Sequence, residues 1–194
     1  HGQIRRQRQM CIRDSGGTTV DKGVAILTQS SNIAINITMQ TRGLPISYIM
    51  SVGNQASLGF SEIGMYLLSD PRVTALGLHI EGIGDLKAFE ELTAKARKLG
   101  KPIVALKVGK SAEARRAAQS HTASLAGDAQ SATSLFKRLG IAEVDRLEVL
   151  IDTLKIFHSY GPLSSKNVRS LSCSGGEASL CLLYTSPSPR DQVV

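Results

Sequence analysis

The sequence predicts an α/β fold, a doubly wound parallel sheet, and two features of residues 23–160 indicate it. Short apolar runs alternate with amphipathic helical segments over about five units. The third run, VTALGLHI (73–80), is almost entirely apolar, which is typical of a strand buried on both faces of a parallel sheet. Alternation of this kind arises from crossover connections between parallel strands, so an open sheet with helices on both faces is expected.

Each element is justified by its own residues. The clearest helix is DLKAFEELTAKARKLG (85–100), where Asp85 suits the N-cap, apolar residues repeat on one face, and Lys98 and Gly100 mark the end. The first helix is expected to close at Gly43. The predicted strands are VAILT (24–28), SYIM (47–50), VTALGLHI (73–80), PIVALKV (102–108) and IAEV (141–144). The predicted helices span 31–43, 61–70, 85–100, 129–140 and 146–160.

The domain organisation follows from these elements. Residues 23–159 have the length of one flavodoxin-like domain, preceded by a short linker at 16–22. Residues 160–167, which include GPLSSKN, are interpreted as a second linker. The segment VRSLSCSGGEASL (168–180) then restarts the pattern with an apolar run, a Ser/Gly turn and a helix start. It predicts the first strand and helix start of a second α/β domain, cut off almost at once.

The two ends of the chain, 1–15 and 181–194, do not continue these patterns. Back-translated, MCIRDS (10–15) and CLLYTS (181–186) fit complementary strands of one transposon-based sequencing adapter. We therefore expect both ends to be translated adapter on a fragment read from a metagenome, and we exclude them from the fold.

Composition excludes several classes of function. The chain is 42% hydrophobic and 20% charged, and it has no apolar run long enough for a membrane helix. Its formal net charge is +7, but residues 5–15 contribute +3, so the body carries about +4 and gives little support to nucleic-acid binding. Without the two ends, Cys173 is the only cysteine, which predicts neither a disulfide framework nor a metal site and favours the cytoplasm.

Small polar loops follow three of the predicted strands, and a lone carboxylate directly follows a fourth, buried strand. In a doubly wound sheet the ligand crevice lies at the carboxyl ends of the strands. The residues at these positions are Ser30-Ser31-Asn32, Gly53-Asn54-Gln55, Glu81-Gly82 and Gly109-Lys110-Ser111. The first loop leads into a helix, whose N–H groups and dipole suit an anion such as phosphate. The alternative is that Ser and Asn simply cap the helix. The last loop lacks the upstream glycine of a phosphate-binding P-loop.

One histidine lies in a run of small residues, AAQSHTASLAGD (117–128). The connection that carries it, from Val108 to Gly140, is longer than one crossover helix needs. A neutral imidazole at His121 could attack a phosphoryl group, and N–H groups at helix ends could hold the transferring oxygens. Glu81 could accept from the other ring nitrogen. The alternative is that His121 is a surface residue and Glu81 caps the next turn.

Six segments, in order, resemble the nucleoside-diphosphate-forming acyl-CoA synthetases, which include succinyl-CoA synthetase alpha subunits and ADP-forming acetate–CoA and feruloyl-CoA ligases. They are TQSSNIAIN, SVGNQAS, LHIEGI, ALKVGKS, SHTASLAG and SCSGGEAS. The resemblance covers residues 23–180 and implies that His121 is phosphorylated during turnover and that Glu81 hydrogen-bonds it. It also implies a phosphate site formed by Ser30, Ser31, Asn32, Gly53, Asn54, Thr122 and Ala123, with no metal ligands in this chain.

The resemblance further implies a reaction and its partners. Carboxylic acid, CoA and ATP would interconvert with acyl-CoA, ADP and phosphate through an acyl phosphate. CoA would bind to a Rossmann domain, and ATP or ADP with Mg²⁺ to an ATP-grasp domain, neither of which is in this chain. The chain is therefore expected to be an inactive fragment when alone, and its half-reaction is expected to need a nucleotide-binding domain and Mg²⁺. Neither nucleic acid nor a membrane is expected as a partner.

The sequence departs from the usual family pattern at two glycines, replaced by Ser31 and Ala123. A non-glycine residue at positive φ would cost about 1 kcal/mol. Two other functions stay open: a regulatory module of a CoA-ligase-like protein acetyltransferase, disfavoured by the presence of His121 with Glu81, and a flavodoxin-like binding domain without phosphoryl transfer.

Overall fold

The computed structural model describes residues 19–109, 129–163, 173–177 and 179. The predicted adapter-derived ends, the segment 110–128 with the candidate histidine, and the predicted strand of the second domain lie outside these ranges. The chain divides into two compact units, His1–Pro162 and Leu163–Val194. In the second unit residues 175–177 are helical, and the N–H of Glu177 donates to Ser174 Oγ at 3.2 Å.

The first unit contains a five-stranded sheet in the order β2-β1-β3-β4-β5, and all four strand pairs are parallel. This confirms the predicted doubly wound parallel sheet. The strands are β1 Gly23–Thr28, β2 Ile46–Ser51, β3 Val73–Ile80, β4 Ile103–Lys107 and β5 Ala142–Val144.

Helices follow the strands in the predicted alternation. They are α1 Ser31–Thr38, α2 Phe60–Leu68, α3 Leu86–Lys98, α4 Ala129–Leu139 and α5 Leu147–Tyr160. The prediction for α3 is confirmed in detail, because Asp85 is its N-cap and accepts from the Ala88 N–H at 3.0 Å. Phe89, Leu92 and Ala96 are buried on one face of this helix, as their spacing indicates. The same spacing includes Leu86, but this first residue of the helix is 49% exposed.

The predicted end of the first helix is wrong. It was expected to continue to Gly43, but α1 ends at Thr38. The Thr38 hydroxyl donates to the Ile35 carbonyl at 2.6 Å, and Gln40 Oε1 accepts from the Arg42 N–H at 2.6 Å. The Ile35 carbonyl and the Arg42 N–H are thus bound by side chains and not by the next helical N–H or C=O group, so the chain turns before it reaches Gly43.

Helices cover both faces of the sheet and form two apolar layers. One layer packs α2, α3 and α4 against one face of the sheet, and in it the rings of Phe89 and Phe136 have centroids 6.4 Å apart. The other packs α1 and α5 against the opposite face, through Ile37, Leu150 and Leu154. Burial on both faces explains why β1, β3 and β4 read as nearly continuous apolar runs.

The strand order determines where a ligand crevice forms. Strands β1 and β3 are neighbours, but the chain continues from β1 to β2 on one side and from β3 to β4 on the other. The helices that follow them therefore lie on opposite faces, and the loops after β1 and β3 separate at the carboxyl end of the sheet. The candidate residues of this edge are the ones that follow Thr28, Ser51, Ile80 and Lys107.

Candidate active site at the carboxyl ends of the strands

The loop after β1 turns the chain directly into α1. Thr28 Oγ1 accepts from the Ser30 N–H at 3.0 Å, and Ser30 Oγ accepts from the Ile33 N–H at 3.4 Å. Ser30 is therefore the N-cap of α1. Ser31 Oγ donates to Ser51 Oγ at 3.2 Å, which joins the carboxyl ends of β1 and β2.

The departure from the family glycine at Ser31 does not strain the backbone. Ser31 is the first residue of α1, and within the described residues Gln55 is the one non-glycine residue with positive φ. The side chains of Ser31 and Asn32 are exposed. The first N–H groups of a helix have no intrahelical partner and carry a partial positive charge, so this turn suits an anion.

The loop after β2 forms a tight turn that presents one glutamine to the next strand. Gly53 has φ +53°, and Asn54 Oδ1 accepts from the N–H two residues on at 3.1 Å. Gln55 follows with φ +60°, a left-handed conformation that costs a non-glycine residue about 1 kcal/mol. Its Oε1 accepts from the Phe60 N–H at 3.1 Å, and its Nε2 donates to the Gly82 carbonyl at 2.9 Å.

Side chains from three neighbouring loops and strands hold the Glu81–Gly82 peptide. Gln29 Oε1 accepts from the N–H of Glu81 at 2.5 Å and from the N–H of Gly82 at 2.9 Å. Lys107 Nζ donates to the Glu81 carbonyl at 3.0 Å, and Gln55 binds the Gly82 carbonyl. Both residues thus have their N–H and C=O groups bound, so the Glu81 carboxylate projects from a fixed backbone at the end of the central strand.

The amide of Gln29 is incompletely satisfied. Gln29 is 7% exposed, and among the residues that the structure describes its Nε2 has no hydrogen-bond partner. Because both bonds of the amide come from N–H donors, its oxygen must face them and its nitrogen must face away. An unpaired buried donor is unfavourable by about 1–3 kcal/mol. The oxygen of the same amide binds the Glu81–Gly82 peptide.

A buried histidine lies in β3, two residues before Glu81. His79 is 5% exposed, and its Nδ1 lies 3.0 Å from Thr28 Oγ1. Burial lowers the pKa of the imidazole, and the nearby charge of Lys107 lowers this pKa further. His79 is therefore neutral at physiological pH and acts as a partnered core residue.

The structure brings together those candidate residues that it describes. Glu81 and the loops with Ser30, Ser31, Asn32, Gly53 and Asn54 lie at one end of the sheet, linked by the hydrogen bonds above. His121, Thr122 and Ala123 lie outside the described residues. The pairing of His121 with Glu81 therefore stays a prediction.

Sequence reasoning missed two residues of this site, Gln29 and Lys107, and it named Gln55 in its loop without giving it a role. Each is a long polar side chain at or just after the end of a strand, and Lys107 is buried at 4% exposure although it ends an apolar run. That position was the available signal. A cavity of about 750 Å³ lies beside Lys107 and Gly82, between the loop after β3 and one side of α4.

Two further properties concern the described part of the chain alone. There, no group of three or more His, Cys, Asp or Glu side chains is placed to hold a metal ion. None of the helices in the same ranges is long and apolar enough to cross a membrane.

Comparison with known proteins gives one family and several relatives. The family described as succinyl-CoA ligase like flavodoxin domain matches residues 21–157. The chain is 36% identical to the alpha subunit of ADP-forming acetate–CoA ligase II of Pyrococcus furiosus, over 72% of this chain and 31% of that protein. It is 34% identical to the ADP-forming acetate–CoA ligase of Methanocaldococcus jannaschii, over 79% of this chain and 22% of that protein.

A solved structure shows the same fold. The dinucleotide forming acetyl-coenzyme A synthetase 1 of Candidatus Korarchaeum cryptofilum, in complex with phosphate and ADP, superposes with a TM-score of 0.65 at 28% identity, over 73% of this chain and 31% of that chain. The chain therefore spans about a third or less of the length of the proteins it matches.

Proposed function

The chain belongs to the family of succinyl-CoA ligase like flavodoxin domains, and from that premise we propose that it carries the phosphohistidine step of an ADP-forming acid–CoA ligase. The whole reaction converts acyl-CoA, ADP and phosphate into carboxylic acid, CoA and ATP, and it is reversible. Phosphate first displaces CoA from the acyl group, which gives an acyl phosphate. The phosphoryl group then passes through His121 to ADP.

The step assigned to this chain is a phosphoryl transfer to nitrogen. A neutral ring nitrogen of His121 attacks the phosphorus of the acyl phosphate, the bond from phosphorus to the acyl oxygen breaks, and the carboxylate leaves. Transfer of the phosphoryl group to the terminal oxygen of ADP restores the free histidine and forms ATP. Glu81 accepts a hydrogen bond from the other ring nitrogen and stabilises the charged phosphoimidazole.

The phosphoryl oxygens would bind to N–H groups and hydroxyls on the same edge of the sheet. We assign this role to the first turn of α1 with Ser30, Ser31 and Asn32, to the turn with Gly53 and Asn54, and to the backbone of Thr122 and Ala123. Donors held in place before the reaction stabilise the developing charge without reorganisation. The exposed first turn of α1 supports this assignment.

The observation that carries the proposal is the fixed backbone of Glu81. Its N–H and C=O groups are bound by Gln29 and Lys107, at the point where the loops of β1 and β3 separate. A carboxylate on such a fixed base is suited to orient a histidine. The relatives named as ADP-forming acetate–CoA ligases support the same reaction.

We further propose that CoA binds to a Rossmann domain, and ATP or ADP with Mg²⁺ to an ATP-grasp domain, both supplied outside this chain. The matched share of the relatives supports this division. We place the histidine-bearing domain at 23–159, the linker at 160–167 and the start of a second domain at 168–180, in a protein of the cytoplasm that acts on a small carboxylic acid.

The test is direct phosphorylation of the purified chain. ³²P-labelled acetyl phosphate, and separately phosphoramidate, should place an acid-labile, alkali-stable label on His121, located by mass spectrometry. His121→Asn should abolish the label, and Glu81→Gln should slow labelling about a hundredfold. His158→Asn is the matched control, because His158 lies on α5 against Thr74 and should leave labelling unchanged. Added ADP, Mg²⁺ and a separate ATP-grasp domain should discharge the label as ATP.

The opposite outcome is equally clear. If the folded chain takes no acid-labile label from either donor, whether alone or with Mg²⁺ and the separate ATP-grasp domain, phosphoryl transfer is not its function. A flavodoxin-like binding domain or a regulatory module would then replace the proposal.

A further inference from the structure

We infer that Gln29 is a positioning residue of this site: its amide oxygen holds the Glu81–Gly82 peptide and so fixes the base from which the Glu81 carboxylate projects. The consequence for phosphoryl transfer rests on the proposed function, whereas the hold on the peptide is a property of the described residues.

Gln29 connects the two strands that flank the crevice. Its backbone N–H donates to the His79 carbonyl at 3.3 Å, which continues the pairing of β1 with β3. Its side chain then reaches one step further, where Oε1 accepts from both N–H groups that follow β3, at 2.5 and 2.9 Å. Because the residue is 7% exposed, water does not compete for these bonds.

The choice of an amide is chemically specific. An apolar side chain of the same shape would leave the N–H groups of Glu81 and Gly82 without their acceptor. A carboxylate would accept both bonds and leave no unpaired donor, but it would put a second negative charge next to Glu81 and oppose its ionisation. Glutamine accepts two N–H groups without adding charge, and the unpaired Nε2 is the consequence.

The other two side chains that bind the Glu81–Gly82 peptide cannot replace the acceptor of Gln29. Lys107 Nζ and Gln55 Nε2 both bind carbonyl oxygens, of Glu81 and Gly82 respectively. Only the acceptor of Gln29, among the contacts described, binds the two N–H groups. Its removal should therefore free one side of the peptide and leave the other side bound.

The first test is a double-mutant cycle on the labelling of His121. Gln29→Met keeps the length of the side chain and removes its acceptor, and we expect labelling from acetyl phosphate to slow about 10- to 100-fold in folded protein. In a Glu81→Gln background, Gln29→Met should cause no further loss, because the carboxylate it positions is gone. If the two losses multiply, Gln29 does not act through Glu81 and the inference is overturned.

Gln40→Met is the matched control. Gln40 also binds a backbone N–H through its amide oxygen, but in the turn between α1 and β2, away from Glu81. The change should lower stability without slowing the labelling at saturating donor. A purely structural role of Gln29 would make the two variants behave alike.

The second test uses amide hydrogen exchange and needs no activity. The N–H groups of Glu81 and Gly82 should exchange about tenfold faster in Gln29→Met. Gln29→Glu keeps an acceptor oxygen and should exchange as the wild type does. Equal exchange in all three proteins overturns the inference, even if His121 is phosphorylated. If the wild type takes no label but exchange responds as expected, the proposed function fails while the hold of Gln29 on the peptide stands.

Discussion

Polar side chains cluster at both ends of the sheet, but they are satisfied differently. At the amino end of β3, Asp70 accepts from the Tyr48 hydroxyl at 2.6 Å and from Arg72 Nη2 at 2.8 Å, and the Arg72 guanidinium lies 5.2 Å from the centre of the Tyr48 ring. At the carboxyl end, Gln29 has a donor without a partner in the described part of the chain, and Gln55 has a left-handed backbone.

Two lysines at the amino end of the sheet also bind backbone carbonyl groups at the end of α2. Lys101 Nζ donates to the carbonyls of Leu68 and Asp70, both at 2.7 Å, and Lys95 Nζ donates to the Met65 carbonyl at 2.6 Å. These cations meet the last carbonyls of α2, where the helix dipole is negative. The side chains named at this end all have hydrogen-bond partners.

This comparison indicates that the polar side chains at the amino end stabilise the fold, whereas those at the carboxyl end belong to the candidate site. Strain and unsatisfied groups persist where the surrounding structure holds them in place, and they concentrate at sites of function. The unpaired amide and the left-handed residue both border the Glu81–Gly82 peptide.

The same small substitution should have different effects at the two ends. In Gly23→Ala the new Cβ would lie 2.6 Å from the Pro45 carbonyl oxygen and 2.9 Å from the Ser47 nitrogen. These are backbone atoms of the neighbouring strand region, so the free energy of unfolding should fall by about 3 kcal/mol. In Gly59→Ala the nearest atom is Gln55 Oε1 at 2.7 Å, the end of a side chain, and the fall should be about 1 kcal/mol. Urea unfolding measures both; equal losses would contradict the comparison.

Two substitutions of Gln55 should distinguish the energetic cost of its left-handed backbone from the contribution of its side-chain hydrogen bonds. Gln55→Ala loses the bonds to Phe60 and Gly82 and keeps a non-glycine residue at φ +60°, so unfolding should become easier by about 2 kcal/mol. Gln55→Gly loses the same bonds but relieves the backbone, and the loss should be smaller by about 1 kcal/mol. The difference between the two variants in chemical denaturation is the measurement. An alanine variant as stable as the glycine variant would show that Gln55 is unstrained.

Ser31→Gly restores the usual family glycine and tests whether the site needs it. Because Ser31 is helical and bonds to Ser51, we expect a small loss of stability, about 0.5–1 kcal/mol. Phosphate affinity, measured by calorimetry, should not improve. A clear gain in affinity would mean that the serine obstructs the anion at the first turn of α1.

The hydrogen bonds of Asp70 with Tyr48 and Arg72 should make the stability of the protein depend on pH. Hydrogen bonds from Arg72 and Tyr48 hold the pKa of the Asp70 carboxyl well below its usual range. A lowered folded-state pKa adds stability above the unfolded pKa of about 4, and this stability is lost as the pH falls further. Asp70→Asn should therefore be less stable than the wild type at pH 7 and lose less on acidification below about pH 4. This change in stability should be smaller than those expected for the substitutions of Gly23, Gln55 and Ser31, because solvent screens the half-exposed Arg72. Parallel acid titrations of the two proteins would contradict it.

Much of the fold could be predicted because its elements depend on local patterns. Strand β3 has the predicted bounds, Val73–Ile80, since a continuous apolar run needs burial on both faces. Helix α3 begins after Asp85, since a carboxylate at that position pairs with the first free N–H groups. The end of α1 could not be read in this way, because the side chains of Thr38 and Gln40 compete with the helix for backbone partners.

Local sequence patterns are enough to predict which edge of the sheet holds the candidate residues, because parallel strands bring their carboxyl ends together whatever follows them. The contacts that hold Glu81 at this edge depend on the three-dimensional fold. Gln29 and Glu81 are 52 residues apart, and Lys107 and Glu81 are 26 apart. Contacts at such separations depend on strand order and register, which no local pattern contains.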